Sequence, residues 1–283
     1  MSKVEFPEIP WRTVASGGGV TLREHGDGET IFVFPGMEGS GESCLHLVAP
    51  VIERASSAGQ RYRLVLVDYA EEEHARFEDL VTTMQVLVRD AARGEACIFW
   101  GQSFGNLLAT GVPEQGGVAA QKFVLVSPFT ALPPWRTHIG VISMYFTPTF
   151  LYRWTIGLVG KFTFGPVGDQ GDHPFFDALR KGTPKGLRRR TGWLRSRTFE
   201  GRFNATPAPT KAWLGKRDRL VNLDEQRDFF GGLAESRSDY FLSMADGCGH
   251  VFLPSDDVRA VHEQLLEWLT ERSTGEPASQ PQG

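Results

Sequence analysis

The stretch Ala96 to Thr110, ACIFWGQSFGNLLAT, constrains the fold more than any other part of the chain. Ala96 to Trp100 reads as a short buried strand and Phe104 to Thr110 as a short helix. Between them Gly101-Gln102-Ser103-Phe104-Gly105 fits the pattern G-x-S-x-G. A strand that runs into a helix through so short a connection must turn sharply. Glycine on both sides of the serine removes the Cβ atoms for which such a turn has no room. The turn lifts the serine hydroxyl clear of the backbone, which makes Ser103 a candidate nucleophile.

The flanking chain repeats the same alternation. Trp11 to Ala15 and Val20 to Glu24 read as two strands around Gly17-Gly18-Gly19. Thr30 to Phe34, Arg63 to Asp68 and Lys122 to Ser127 read as further strands. Glu42 to Ala58 and Phe77 to Ala92 carry apolar residues at helical spacing. The pattern breaks at Pro128. It returns with a strand at Thr210 to Leu214, a helix near Leu223 to Gly231, a strand at Asp239 to Met244 and a closing helix at Asp256 to Thr270. Alternating strands and helices predict an α/β fold, a mostly parallel central sheet with helices on both faces. The expected organisation is a core of residues 11–128 and 208–272. A mainly helical cap, 129–207, is inserted after the strand at 122–127, and a polar tail, 273–283, is expected to be disordered.

Composition narrows the classes of partner. A net charge of −4 lacks the basic excess of general nucleic-acid binders. Cys44, Cys97 and Cys248 are widely spaced and form no C-x-x-C pattern, so scattered reduced thiols and no metal are expected. The first residues, MSKVEFPEIPW, lack the apolar run of a secretory signal. The segment Ile139 to Gly165 is apolar, but Pro148, Arg153 and Lys161 interrupt it, and a span needs about 20 mostly apolar residues. A cytoplasmic enzyme with no transmembrane segment and a small-molecule substrate is expected. The aromatic insertion remains a candidate for contact with a lipid surface.

A serine hydroxyl needs a base to take its proton. His250, in Gly247-Cys248-Gly249-His250, lies past the last strand and before the closing helix, whereas His262 falls inside that helix. The histidine in turn needs a carboxylate to fix its tautomer. Asp218 follows the strand TKAWL directly, at the edge where open parallel sheets place their ligand sites. Asp246, four residues before the histidine, is the competing acid. For the developing oxyanion, the backbone N–H of Phe104 is one expected donor. The N–H of Met37, in the glycine-rich loop Phe34 to Gly41, is the other. That loop lacks the Gly-Lys-Ser/Thr ending of a phosphate-binding loop.

Taken in order, PGMEG, GQSFG, LGKRDRLV and GCGHVFLP with its closing helix resemble the α/β-hydrolase superfamily from about Trp11 to Thr270. The resemblance implies a serine hydrolase without cofactor, with Ser103, Asp218 and His250 as triad and Met37 and Phe104 as oxyanion donors. Pro35-Gly36 stands where many members have His-Gly, and Gln102 where many have His before the nucleophile. Phe-Pro-Gly, Ser-Phe-Gly and the following Leu-Leu-Ala are similar to thioesterases of polyketide and peptide synthesis. Relatives that release halide or open epoxides resemble this fold with aspartate in place of the serine.

The insertion is dense in aromatic residues, which suits an apolar acyl or alcohol pocket. Gly36, Trp135, Tyr145, Trp154 and Trp193 are the candidate pocket residues. The basic run Lys185, Arg188, Arg189, Arg190, Arg195 and Arg197 is either a solvated face or a recognition site for carboxylate or phosphate. The leading expectation is hydrolysis of an ester or thioester through an acyl-enzyme. The alternatives are a carbon–carbon bond hydrolase and a non-catalytic ligand receptor. Neither the substrate nor the oligomeric state is written in the sequence.

Overall fold

The computed structural model describes residues 9–70, 74–135, 138, 142, 146–153, 174–195, 197–253 and 256–271. It contains one eight-stranded sheet. The strands are β1 (Arg12–Gly17), β2 (Val20–Gly26), β3 (Glu29–Phe34), β4 (Tyr62–Tyr69), β5 (Cys97–Gln102), β6 (Ala120–Val126), β7 (Thr210–Gly215) and β8 (Tyr240–Ala245). Their spatial order is β1-β2-β4-β3-β5-β6-β7-β8. β1 and β2 pair antiparallel, as do β2 and β4, and every later pair is parallel. The chain steps from β3 to β4 on one side and then to β5 on the other. The loops after β3 and β5 therefore part at a topological switch point, where open α/β sheets form a crevice.

The strands alternate sides with period two, and both sides are apolar. Phe32, Phe34, Val65 and Val67 face one hydrophobic cluster, and Ile31, Val33, Leu64 and Leu66 face the other. On the first side pack α2 (Phe77–Ala92) and α3 (Gly105–Gly116), and on the second α1 (Leu45–Ser57) and the closing helix. On the first face Phe32, Phe34, Phe99 and Phe123 form a ladder across three strands, with centroid spacings of 5.7–6.2 Å. Truncating Phe99 to Ala at its centre would cost about 3–5 kcal/mol. The sequence reads the helix after Ser103 as Phe104 to Thr110, and the poor helix formers Gly111 and Pro113 lie just beyond it. It runs to Gly116, since burial of Leu107, Leu108 and Val112 outweighs those local preferences.

Between β6 and β7 the described residues hold no strand. They include α4 (Pro174–Lys181), α5 (Pro184–Leu194) and α6 (Glu200–Asn204). Thr183 caps α5 by accepting the Gly186 N–H at 3.0 Å, and Pro184 follows at its first position. The insertion does not stand apart from the core. Trp193, Leu194, Phe199 and Phe203 belong to the cluster that α2 and α3 share. Tyr152, Phe175, Phe176 and Leu179 pack with Val251 and Leu253 in a smaller cluster beside the His250 loop.

The fold closes with α7 (Leu223–Ser236) and α8 (Asp256–Thr270). Pro50 lies within α1 and leaves the His46 carbonyl without its helical donor. His262 of α8 hydrogen-bonds the backbone of His46, so it serves packing between the two helices. Among the described residues no helix is long and apolar enough to cross a membrane. None of their His, Cys, Asp and Glu side chains form a group that could hold a metal.

Candidate active site

Ser103 sits at the end of β5 with φ of +53°, one of three described non-glycine residues at positive φ. The left-handed conformation is costly for a residue with a Cβ and persists only where its surroundings enforce it. Here the Ser103 N–H donates to the Val126 carbonyl at 2.9 Å, and Asn106 Nδ2 donates to the carbonyls of Ser103 (2.9 Å) and Val126 (2.8 Å). A Cβ on Gly105 would fall against the carbonyls of Phe34 and Pro35, so only glycine lets α3 begin so close to β3. The local sequence thus holds the serine hydroxyl at the C-terminal edge of the sheet.

Ser103 Oγ lies 2.7 Å from His250 Nε2. His250 Nδ1 lies 2.7 Å from Asp218 Oδ2, and both side chains are 1% exposed. The other carboxylate oxygen, Asp218 Oδ1, accepts the backbone N–H groups of Leu220 (2.7 Å) and Val221 (3.3 Å). The acid is thereby fixed from both ends. The Arg217 N–H donates to the Cys248 carbonyl at 2.9 Å, which ties the acid loop to the histidine loop. The ring of Phe129 lies 6.3 Å from that of His250, an apolar wall beside the imidazole. Asp246 points elsewhere, paired with Lys216 at 2.6 Å on the surface. The arrangement brings together a hydroxyl, an imidazole and a carboxylate in the order that proton transfer from the hydroxyl requires.

Phe104 follows the serine immediately, at the N-terminal end of α3. The loop carrying Met37 is braced from several directions. Glu38 accepts the Gly36 N–H at 3.0 Å and the Ser43 hydroxyl. Burial pushes the Glu38 carboxyl above the ordinary carboxylate range, and its hydrogen bonds and the Arg190 charge pull the other way. The Tyr69 hydroxyl donates to the Gly36 carbonyl and lies 3.2 Å from that of Pro35. Burial holds the Tyr69 phenol well above its usual value, so it remains a donor. His46 bridges the carbonyls of Ser43 (2.8 Å) and Phe252 (2.7 Å), linking the same region to the His250 loop.

The candidate pocket residues are spread more widely. Gly36 is buried beside Tyr69, and Trp135 stands at the surface. Trp193 is packed into the core, its indole N–H donating to the Ala75 carbonyl at 3.2 Å. Tyr145 and Trp154 lie outside the described residues, as does the tail 273–283. The basic run divides. Arg190 is buried, Arg189 donates to the His74 carbonyl at 3.2 Å, and Arg197 meets Glu78 at 2.7 Å. The sequence offered no sign of Glu38, Tyr69 or His46. Arg190 was discernible in principle, because it shares the 3–4 spacing of Leu187 and Leu194 on the apolar stripe of α5. A separate cleft of about 620 Å³ is lined by Arg12, Glu24, Arg63 and Arg93. It opens at the N-terminal ends of the parallel strands, away from Ser103.

A search of curated protein sequences finds no match. Among solved structures the chain is similar to an esterase from Exiguobacterium antarcticum, with 14% identity and a TM-score of 0.71 over 89% of this chain and 96% of that one. It is also similar to a carboxylesterase from Bacillus subtilis, with 16% identity and a TM-score of 0.68 over 93% and 92%. A bromoperoxidase from Bacillus anthracis gives 16% and 0.68 over 89% and 95%. At these identities the likenesses are of fold. The sequence model of the alpha/beta hydrolase family matches residues 20–264, the span that carries seven of the eight strands, Ser103, Asp218 and His250, and the chain belongs to that family.

Proposed function

We propose that this protein hydrolyses a carboxylic ester or thioester bearing an apolar group, through an acyl-enzyme formed on Ser103. The observation that carries the reading is the hydrogen-bonded series from Ser103 Oγ to His250 Nε2 and from His250 Nδ1 to Asp218, 2.7 Å at each step. In the first half-reaction His250 takes the serine proton as Oγ attacks the acyl carbonyl. The carbonyl oxygen becomes an oxyanion facing the Phe104 and Met37 N–H groups. The tetrahedral intermediate collapses, His250 gives its proton to the departing alcohol or thiol, and the acyl group stays on Ser103. In the second half, water loses a proton to His250, attacks the acyl carbonyl and releases the acid, and Ser103 regains its proton. Asp218 stays ionised throughout, holding the tautomer and the imidazolium. The scheme uses no metal or cofactor.

The preference for an apolar group rests on Phe129 beside His250 and on the aromatic content of the insertion. The same insertion offers Trp135, Ile142, Phe146 and Phe150 to the outside, which supports contact with a lipid surface. The reading is tested with a fluorophosphonate probe and with nitrophenyl esters and acyl thioesters of graded chain length. Covalent labelling at Ser103 and turnover that grows from acetyl to medium-chain acyl groups are expected. Absence of labelling on folded protein would overturn it.

A further inference from the structure

We propose that Arg190, on cap helix α5, is a positioning residue that locks the oxyanion loop, so that docking of the cap and assembly of the oxyanion hole are one event. The inference rests on the serine-hydrolase reading for its kinetic consequence and on geometry alone for the lock itself. Arg190 is only 6% exposed, although it stands in a run of three arginines. Its guanidinium lies over the Tyr69 ring, 4.9 Å from the centroid, and its charge acts on Glu38. A Cβ built on Gly39 would approach both terminal guanidinium nitrogens to 3.0 Å, so the group lies directly against the loop backbone. Gly39 has φ of +74°, and its carbonyl accepts the Tyr69 N–H at 2.9 Å.

Tyr69 and Glu38 are the side chains that hold the loop at Gly36. Tyr69 donates to the Gly36 carbonyl, and Glu38 accepts the Gly36 N–H, so the peptide groups flanking Gly36 are gripped on both sides. The Met37 N–H belongs to the peptide whose carbonyl Tyr69 holds. Turning that peptide would turn the proposed donor away from the substrate oxygen. One helical turn beyond Arg190, Trp193 stacks on Phe104, with centroids 6.4 Å apart and planes at 24°. Phe104 supplies the other proposed donor, and its ring also meets that of Tyr69 at 6.2 Å. A single face of α5 therefore bears on both halves of the hole, through Arg190 on one and Trp193 on the other.

Burying a guanidinium and a carboxyl is expensive, and a purely structural contact could be made by apolar groups of similar volume. An arginine here gives something an apolar residue does not. It couples a cap helix electrostatically to the loop that must hold its shape while negative charge develops on the substrate.

The test uses the full chain with four proteins: wild type, Arg190→Met, Arg190→Lys and the double variant Arg190→Met/Glu38→Gln. Hydrogen exchange of residues 36–43 reads the lock directly. The rate of fluorophosphonate labelling at Ser103, with kcat and KM for a nitrophenyl ester, reads its consequence. Arg190→Met is expected to speed exchange in 36–43 at least tenfold and to lower labelling and kcat together by about 10- to 100-fold, with KM within about threefold. Arg190→Lys should recover part of the loss. The double variant carries no unpaired buried carboxylate, so it folds even if Arg190→Met does not, and it should stay slow. Unchanged exchange in 36–43 would overturn the lock. Wild-type rates in the double variant would also overturn it, since Arg190 would then only neutralise Glu38. If the wild type itself fails to label at Ser103, the hydrolase reading falls, and the exchange measurement still decides the lock.

Discussion

Trp193 of the insertion lies stacked on Phe104, the residue immediately after Ser103. The same indole meets Phe77 at 6.4 Å and donates its N–H to the Ala75 carbonyl. The insertion is thus keyed into the core at the Ser103 turn itself, and cutting it out would expose Phe77, Phe104 and the residues around them. The roles of its residues are better separated by point substitution than by excision.

The choice between the two candidate acids has a direct test. Asp218→Asn should lower kcat on the order of 10⁴-fold, because an amide at that position no longer holds the imidazole in the required tautomer. Asp246→Asn should change kcat less than about threefold, since its carboxylate only meets Lys216 in solvent. Steady-state kinetics with one nitrophenyl ester compares them. A larger effect at Asp246 would reassign the acid.

A second prediction concerns stability far from the site. Glu24 meets Arg63 at 3.1 Å and Arg93 at 3.2 Å, and Arg12 closes the cluster. Burial alone would raise the Glu24 carboxyl, but the Arg12 hydrogen bond and the charges of Arg93 and Arg12 outweigh it and hold it below its ordinary value. A depressed carboxyl stabilises the fold above its unfolded value of about 4.3, and that contribution is lost as pH falls through the folded value. Glu24→Gln should therefore destabilise the protein at pH 7 by about 3 kcal/mol, because Arg63 stays buried without its carboxylate. Urea unfolding should show the gap between the two proteins closing below pH 4. A gap that stays constant from pH 7 to pH 3 would contradict this account of the cluster.

A third prediction concerns the outer face of the insertion. Phe146 is 83% exposed and Phe150 75%, with Arg153 exposed nearby in the chain and Lys181 exposed further along the insertion. Residues 129–207 hold twelve Lys and Arg against four Asp and Glu, in a chain that is acidic as a whole. Protruding aromatic side chains among basic residues suit an anionic lipid interface. The protein should co-sediment with vesicles containing phosphatidylglycerol more than with pure phosphatidylcholine, and Phe146→Asp/Phe150→Asp should remove most of that binding. Equal recovery with both vesicle types, or binding untouched by the double substitution, would speak against this face.

The sheet, its order of elements and the meeting of Ser103, Asp218 and His250 were legible because each is announced locally. An apolar run ends in glycine, a helix starts at the next apolar spacing, and the polar residue between them lies at the C-terminal edge. The supporting residues were not legible in that way. Glu38 and Tyr69 act through a loop whose shape is tertiary, and nothing in PGMEG or LVDY says that a phenol will reach a carbonyl 33 positions away. Among the arginines of α5 the 3–4 spacing with Leu187 and Leu194 marks Arg190 as inward-facing, but nothing in the sequence says which loop its guanidinium meets. The pocket was read from aromatic density, and density does not separate Trp193, which fills the core, from Trp135, which faces solvent.

The central claim is that Ser103 is the nucleophile, and the most direct measurement is intact-mass analysis of the protein after exposure to a fluorophosphonate. Wild type should gain a single phosphonyl adduct, located at Ser103 by peptide mapping. Ser103→Ala should gain none and lose ester turnover, while its melting temperature stays within a few degrees of wild type. An adduct of equal yield on folded Ser103→Ala would contradict the account.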